Sequence, residues 1–85
     1  MDNYIIKTDG TIIECNPADK RGFTLREMQK AVGGYIQQVG RYQNKSIWAD
    51  EEGLLKELPL NEKASRLCFR PIVGDVLVCL DNLVK

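Results

Sequence analysis

The chain contains no histidine. That removes the commonest general base and the commonest metal ligand together. A Ser-His or Cys-His nucleophile arrangement cannot be built, and lysine or carboxylate bases are the formal alternatives. Cysteine is also scarce: Cys15, Cys68 and Cys79 leave at least one thiol unpaired, and no two are spaced as Cys-x-x-Cys. With no histidine to complete a set of four, a structural zinc site of the usual type is excluded. Each cysteine stands among apolar or β-forming residues and reads as a small buried hydrophobe. A reducing cytoplasm suits such thiols best. Long hydrophobic runs are missing too, the longest being Val76 to Leu80. This is far short of the ~20 residues that span a bilayer. The start shows no charged-then-apolar leader, so no secretory signal is expected.

Net charge is absent as well, with 12 basic and 12 acidic residues. Residues 1–45 carry 7 basic and 5 acidic side chains and the remainder 5 and 7, too even for an electrostatic footprint on nucleic acid. Lys20, Arg21, Arg26, Lys30, Arg41 and Lys45 read as scattered solubilising charge rather than as a patch. The 85 residues fit one domain, 1–85. A chain this short hides roughly 60–65% of its unfolded surface, so stability is modest and a homo-oligomer is expected to help.

Asp9-Gly10 between residues 3–7 and 11–15 marks a tight hairpin. Pro17 closes its second strand. Thr24 and Glu27 form a capping box, with Phe23 and Met28 placed as a hydrophobic staple. Leu25, Met28 and Val32 mark one helical face, with Ala31 at its edge, and Gly33 stops the helix in a left-handed conformation. Residues 35–39 read as a strand, 40–45 as a polar turn and 46–50 as a second strand. Glu51-Glu52-Gly53 reverses the chain, with Gly53 as the expected left-handed position. Residues 54–58 read as a short extended segment. Asn61 caps a short helix through Leu67, and 76–80 reads as a buried strand. The order ββαββ(β)αβ predicts an α+β fold: a mainly antiparallel sheet of about five or six strands with one main and one short helix.

Three blocks carry a family resemblance. Leu25-x-x-Met28-Gln29-Lys30-Ala31-Val32-Gly33-Gly34-Tyr35-Ile36 is similar to an "LQ-x-x-VGG-Y-I" block. Asp50 to Asn61 is similar to "NEEGKLKGLPLN", and Ile72-Val73-Gly74-Asp75-Val76 to "I-x-GD-V". In this order, over about two-thirds of the chain, they resemble a small domain-of-unknown-function family common in bacteriophages and bacterial mobile elements. Asp50 departs from the pattern, which has Asn there, and so does Glu57, where Gly is frequent. The resemblance brings no enzymatic activity. It implies a phage-type setting and an accessory protein that disables host defence by capturing a nucleotide signal or by binding a defence protein.

The acidic run Asp50-Glu51-Glu52 reads as a solvated turn rather than as a catalytic pair or a cation site. Gly33-Gly34 can bring backbone close to a phosphate, but the pair follows a helix, where the dipole repels anions, so a cap with close packing is the plainer reading. Tyr35 and Trp48 can stack on a base. Alternation puts Ile47 and Trp48 on opposite sheet faces, so one of them must turn from the main core. Asn61 can cap a helix or read a base edge. Arg41, Lys63 and Arg66 can each meet a phosphate.

These residues lead to a non-enzymatic binder of a nucleotide-like small molecule, with no cofactor and a pocket between or beside subunits. The ligand residues expected are Gly33, Gly34, Tyr35, Arg41, Trp48, Asn61, Lys63 and Arg66. The alternative is a protein-interaction module that inhibits a host defence enzyme or complex, adding exposed edge strands such as 3–7 or 76–80 to a partner sheet.

Overall fold

Val76, Leu77, Val78 and Cys79 are all completely buried, so the strand they form must be covered on both faces. It is the central strand of the molecule. The computed structural model describes residues 1–84. Its elements are β1 (Tyr4–Ile6), β2 (Ile12–Glu14), α1 (Leu25–Val32), β3 (Ile36–Tyr42), β4 (Lys45–Asp50), α2 (Glu62–Cys68) and β5 (Val76–Leu80). A short 3-10 turn, Asp81–Leu83, follows. The strands form one sheet in the order β2-β1-β5-β4-β3, antiparallel throughout. The fold is α+β with five strands, as the element order predicts.

Each helix covers one face of the sheet. On the α2 side, Ile6, Ile47, Ala49, Val76 and Val78 pack with Ala64 and Ile72. On the α1 side, Leu77 and Cys79 pack with Phe23, Met28 and Val32, and Trp48 lies against them. Two cores in so short a chain change one expectation. Ile47 and Trp48 do sit on opposite faces, but neither turns away from a core, because each face has its own.

The capping box of α1 forms as the residue types require: Glu27 N donates to Thr24 Oγ1 and Thr24 N donates to Glu27 Oε1. The staple forms too, since Phe23 and Met28 are both buried in one cluster. Gly33 ends the helix at φ 85. Leu25, expected on the buried face, is 60% exposed, and Met28 and Val32 are the residues that this eight-residue helix buries.

Four further expectations are corrected. β3 continues through Tyr42, so the polar stretch 40–45 is mostly strand, and only Gln43 and Asn44 turn. Gly53 does not take a positive φ; Glu57 does, at 55. A Cβ on Gly53 would stand 2.8 Å from Val73 Cγ2, so its constraint is space. Residues 54–58 are not extended but coil as successive turns, with Lys56 N donating to Glu52 O and Leu58 N to Gly53 O. The sheet edges are β2 and β3; residues 3–7 lie one strand in and 76–80 at the centre. Local sequence marks strands, but their neighbours depend on contacts far apart in the chain.

Asn61 locks α2 to the sheet. Its Oδ1 accepts from Ala64 N as the helix cap, and its Nδ2 donates to Ile6 O (2.8 Å) and Gly74 O (2.9 Å). Asn61→Ala would leave a buried donor and two buried acceptors unsatisfied. We expect a loss of about 3 kcal/mol in urea unfolding. A loss under about 1 kcal/mol would contradict this account of the joint.

Candidate functional site

The three sequence blocks meet at one end of the sheet, on its α1 side. Gly33 and Gly34 end α1, Asp50 ends β4, and Gly74-Asp75 leads into β5. The Asp50 side chain is 1% exposed, and its Oδ2 pairs with Lys56 Nζ at 2.7 Å. Its Oδ1 accepts from Glu52 N at 2.8 Å. Burial acts to raise the Asp50 pKa, but the hydrogen bonds from Lys56 and Glu52 outweigh it, and the carboxyl is held below its ordinary value. Its bond to Asp50 raises the Lys56 pKa in turn.

Gly34 makes room for this pair. A Cβ there would stand 2.6 Å from Lys56 Nζ and 2.7 Å from Asp50 Oδ2. Lys56 Nζ also lies 3.5 Å from Gly33 O, at the negative end of α1, where the helix dipole favours a cation. Backbone bonds tie the blocks further: Glu51 N donates to Tyr35 O, Asn61 N to Ile72 O and Gly74 N to Pro59 O.

Two adjoining clefts open at this junction. The smaller, about 270 Å³, lies among Thr8, Gly33, Lys56, Leu58 and Asp75. The larger, about 510 Å³, runs between α1 and the β1–β2 hairpin. Ile5, Phe23, Ala31 and Val32 line it with apolar surface, and Lys7 and Lys30 bring positive charge. Lys7 Nζ lies 3.2 Å from Asp75 Oδ2, and Asp75 Oδ1 accepts from Thr8 N. Lys30 has no ion-pair partner among the described residues. Cys15 also lines this cleft, but burial and then Glu27 raise its pKa, so it stays a thiol. Among the described residues no group of acidic or cysteine side chains is arranged to hold a metal ion. No helix there is long and apolar enough to cross a membrane.

The expected ligand residues do not converge. Gly33 lines both clefts, Gly34 stands over the ion pair, and Tyr35 follows, exposed. Arg41 lies at the opposite end of the sheet, paired with Asp81, which also accepts from Ser46. Trp48 is packed in the α1-side core. Its Nε1 is the single buried side-chain polar atom without a hydrogen-bond partner among the described residues. Asn61 is 1% exposed with its amide engaged at both ends, so it has nothing to offer a ligand. Lys63 and Arg66 line a separate hollow beside the β1–β2 turn, where Lys63 Nζ donates to Gly10 O.

Sequence reasoning overlooked Asp50, Lys56, Lys7, Asp75 and Lys30. The acidic run 50–52 reads as a solvated turn, yet only Glu51 and Glu52 are exposed. The signal that could have found it is strand alternation: Asp50 shares its face with Trp48 and therefore faces α1.

Residues 1–82 match a family described as "Domain of unknown function (DUF3846)". The chain belongs to this family. No curated protein and no solved structure matches it. The family match spans both clefts and all three blocks, and the geometry supplies a physical role for each block.

Lys56→Met tests the ion pair. Removing the cation leaves Asp50 buried and unpaired. Because Lys56 is 40% exposed, the full buried-pair penalty must be discounted for solvent screening. A measurable loss of stability at neutral pH is expected. The folded-state pKa of Asp50 is below its ordinary 3.8, so its contribution is fully present above that value and is lost as pH falls through the folded-state pKa. The gap between wild type and variant in chemical denaturation should therefore narrow on acidification. A gap independent of pH would show that the pair is incidental.

Proposed function

We propose that this protein is a phage-type anti-defence binder that holds a small nucleotide-derived signal of host immunity without transforming it. The observation that carries this reading is the larger cleft. At about 510 Å³ it falls in the range typical of small-molecule sites, and it combines apolar walls with a few polar groups. A base would lie against Ile5, Ala31 and Val32, and Lys30, unpaired at the rim, would meet a phosphate. Lys7 is paired with Asp75, and Glu27 lines the same cleft as Lys30, so the cleft as a whole is close to neutral. That favours a ligand with an apolar or aromatic body and limited charge over a polyanion. The phage setting rests on the three-block resemblance. With no histidine in the chain, the binding reading also draws support from what nucleophilic catalysis ordinarily requires.

Isothermal titration of the purified protein against cyclic dinucleotides and cyclic ADP-ribose isomers should give saturable heat with one class. Lys30→Ala, on an exposed helix position, should weaken that binding about tenfold or more while leaving unfolding unchanged. Silence from every ligand would remove the proposal.

A second reading, inhibition of a host defence protein by direct contact, is favoured by one feature. Phe69 ends α2 with φ 56, a left-handed conformation costly for a bulky residue, and its side chain is 95% exposed. Leu54 and Leu55 are also more than 80% exposed, and a shallow groove lined by Leu54, Val39 and Arg70 separates them from it. Under this reading one stoichiometric partner is recovered from host lysate, and Phe69→Ala abolishes its capture. Capture unaffected by the substitution would point away from this surface.

A further inference from the structure

The two edges of the sheet are built differently. β3 is guarded: its ladder shifts between Gln38 and Gly40, and Arg70 Nη2 donates to Val39 O. Gln37, Gln38 and Arg41 keep it polar and exposed. These are the usual means of preventing an edge from pairing. β2 has no bulge and no side chain bonded over its edge, and the exposed Glu14 is the one charge among its three residues. It pairs without irregularity, Tyr4↔Glu14, Ile5↔Ile13 and Ile6↔Ile12, and presents a large apolar side chain on each face. Ile12 is 42% and Ile13 45% exposed, and Met1 beyond them is 68% exposed. An apolar depression of about 420 Å³ continues from Ile12 to Tyr4, Ile6 and Leu67 on the α2 side.

The hydrogen-bond parity of β2 decides which backbone groups remain free. Cys15 N donates inward to Asn3 O, and Thr11 O accepts from Lys7 N. In an antiparallel ladder inward and outward residues alternate. Residues 11, 13 and 15 therefore turn toward β1, and Ile12 and Glu14 turn their N–H and C=O groups outward. An unpaired edge of this kind is a template for another strand.

We propose that a second copy of this chain docks on this edge, β2 against β2, antiparallel and centred on Ile13. In that register Ile12 stands opposite Glu14 of the partner subunit, and every outward N–H meets an outward C=O. Ile13 stands opposite Ile13 of the partner subunit in the close, non-hydrogen-bonded position, on the α1 face. Centring the pair on Glu14 instead would oppose two carboxylates, and centring it on Ile12 would leave Glu14 facing the β-turn. The strand is thus complementary to itself in one register. Docking joins two five-stranded sheets into one. It also places Thr11 of the partner subunit opposite Cys15, which lines the larger cleft. The second copy then closes the outer side of that cleft. This last point rests on the reading of the cleft as the ligand site, whereas the interface itself does not.

Sedimentation velocity and native mass spectrometry of the full chain should show a dimer. Ile13→Lys opposes two cations at the centre and should raise the dimer dissociation constant at least about tenfold without unfolding the exposed strand. Glu14→Pro removes an outward N–H, together with the exposed carboxylate that accepts from Asn16 Nδ2, and should act the same way. Ile13→Cys brings two Cα atoms to the ~4.5 Å of a non-hydrogen-bonded pair, within disulfide reach. It should cross-link under mild oxidation, whereas wild type and Ile12→Cys should not. A monomeric wild type, or a dimer that Ile13→Cys fails to cross-link, overturns the proposal. A dimer that cross-links but binds no nucleotide retires the ligand reading and leaves the interface standing, so the two failures are distinguishable.

Discussion

The side-chain amide of Asn61 is the joint on which the rest of this molecule depends. In a single buried group it caps α2, holds the carbonyl that ends β1 and holds the carbonyl that precedes β5. Its backbone N–H adds a bond to Ile72 O, and Ser65 Oγ bridges Asn61 O to the Ile72 backbone. A helix of seven residues has little stability of its own. It persists because this amide fixes its start and because Ala64 is buried against the sheet. Without the joint, the α2-side core would lose its cover, and the centre of the sheet would face water on one side.

The same end of the sheet shows why glycine recurs in the three sequence blocks. Gly34 yields space to the Asp50–Lys56 pair, Gly53 to Val73, and Gly74, at φ 80, to Leu58. The coil of residues 51–58 is thereby drawn down onto the body by one ion pair and by close contacts. Glu57 takes φ 55 inside that coil, a conformation that glycine adopts without penalty. The clefts beside the coil are a consequence of this packing. A short α1 covers only the middle of its sheet face and leaves the β1–β2 hairpin projecting past it.

Much of the fold was legible because the signals were local. Asp9-Gly10 specifies a hairpin through Gly10 at φ 92, the Thr24–Glu27 box starts a helix, Gly33 ends it, and Asn61 caps the next. The apolar run of β5 announced burial on both faces. Where reading failed, the cause was a competing contact. Residues 54–58 read locally as an extended segment, yet the Asp50–Lys56 pair and the turn hydrogen bonds of Lys56 N and Leu58 N curl them. Gly53 reads as a left-handed turn position, while its actual constraint is the methyl group of Val73. The candidate site was less legible still. Arg41, Trp48 and Asn61 have residue types suited to a ligand, but each is engaged by a neighbour distant in sequence.

By itself the sequence determined the type and order of the elements, the absence of histidine chemistry, and the places where the chain must turn. These follow from backbone sterics, caps and periodicity, which act over a few residues. Only the tertiary structure decided which strands are edges, that the sheet has a core on each face, and that Asp50 is buried against Lys56 beneath Gly34. Such facts depend on which surfaces meet, and that outcome is set by packing the whole chain at once.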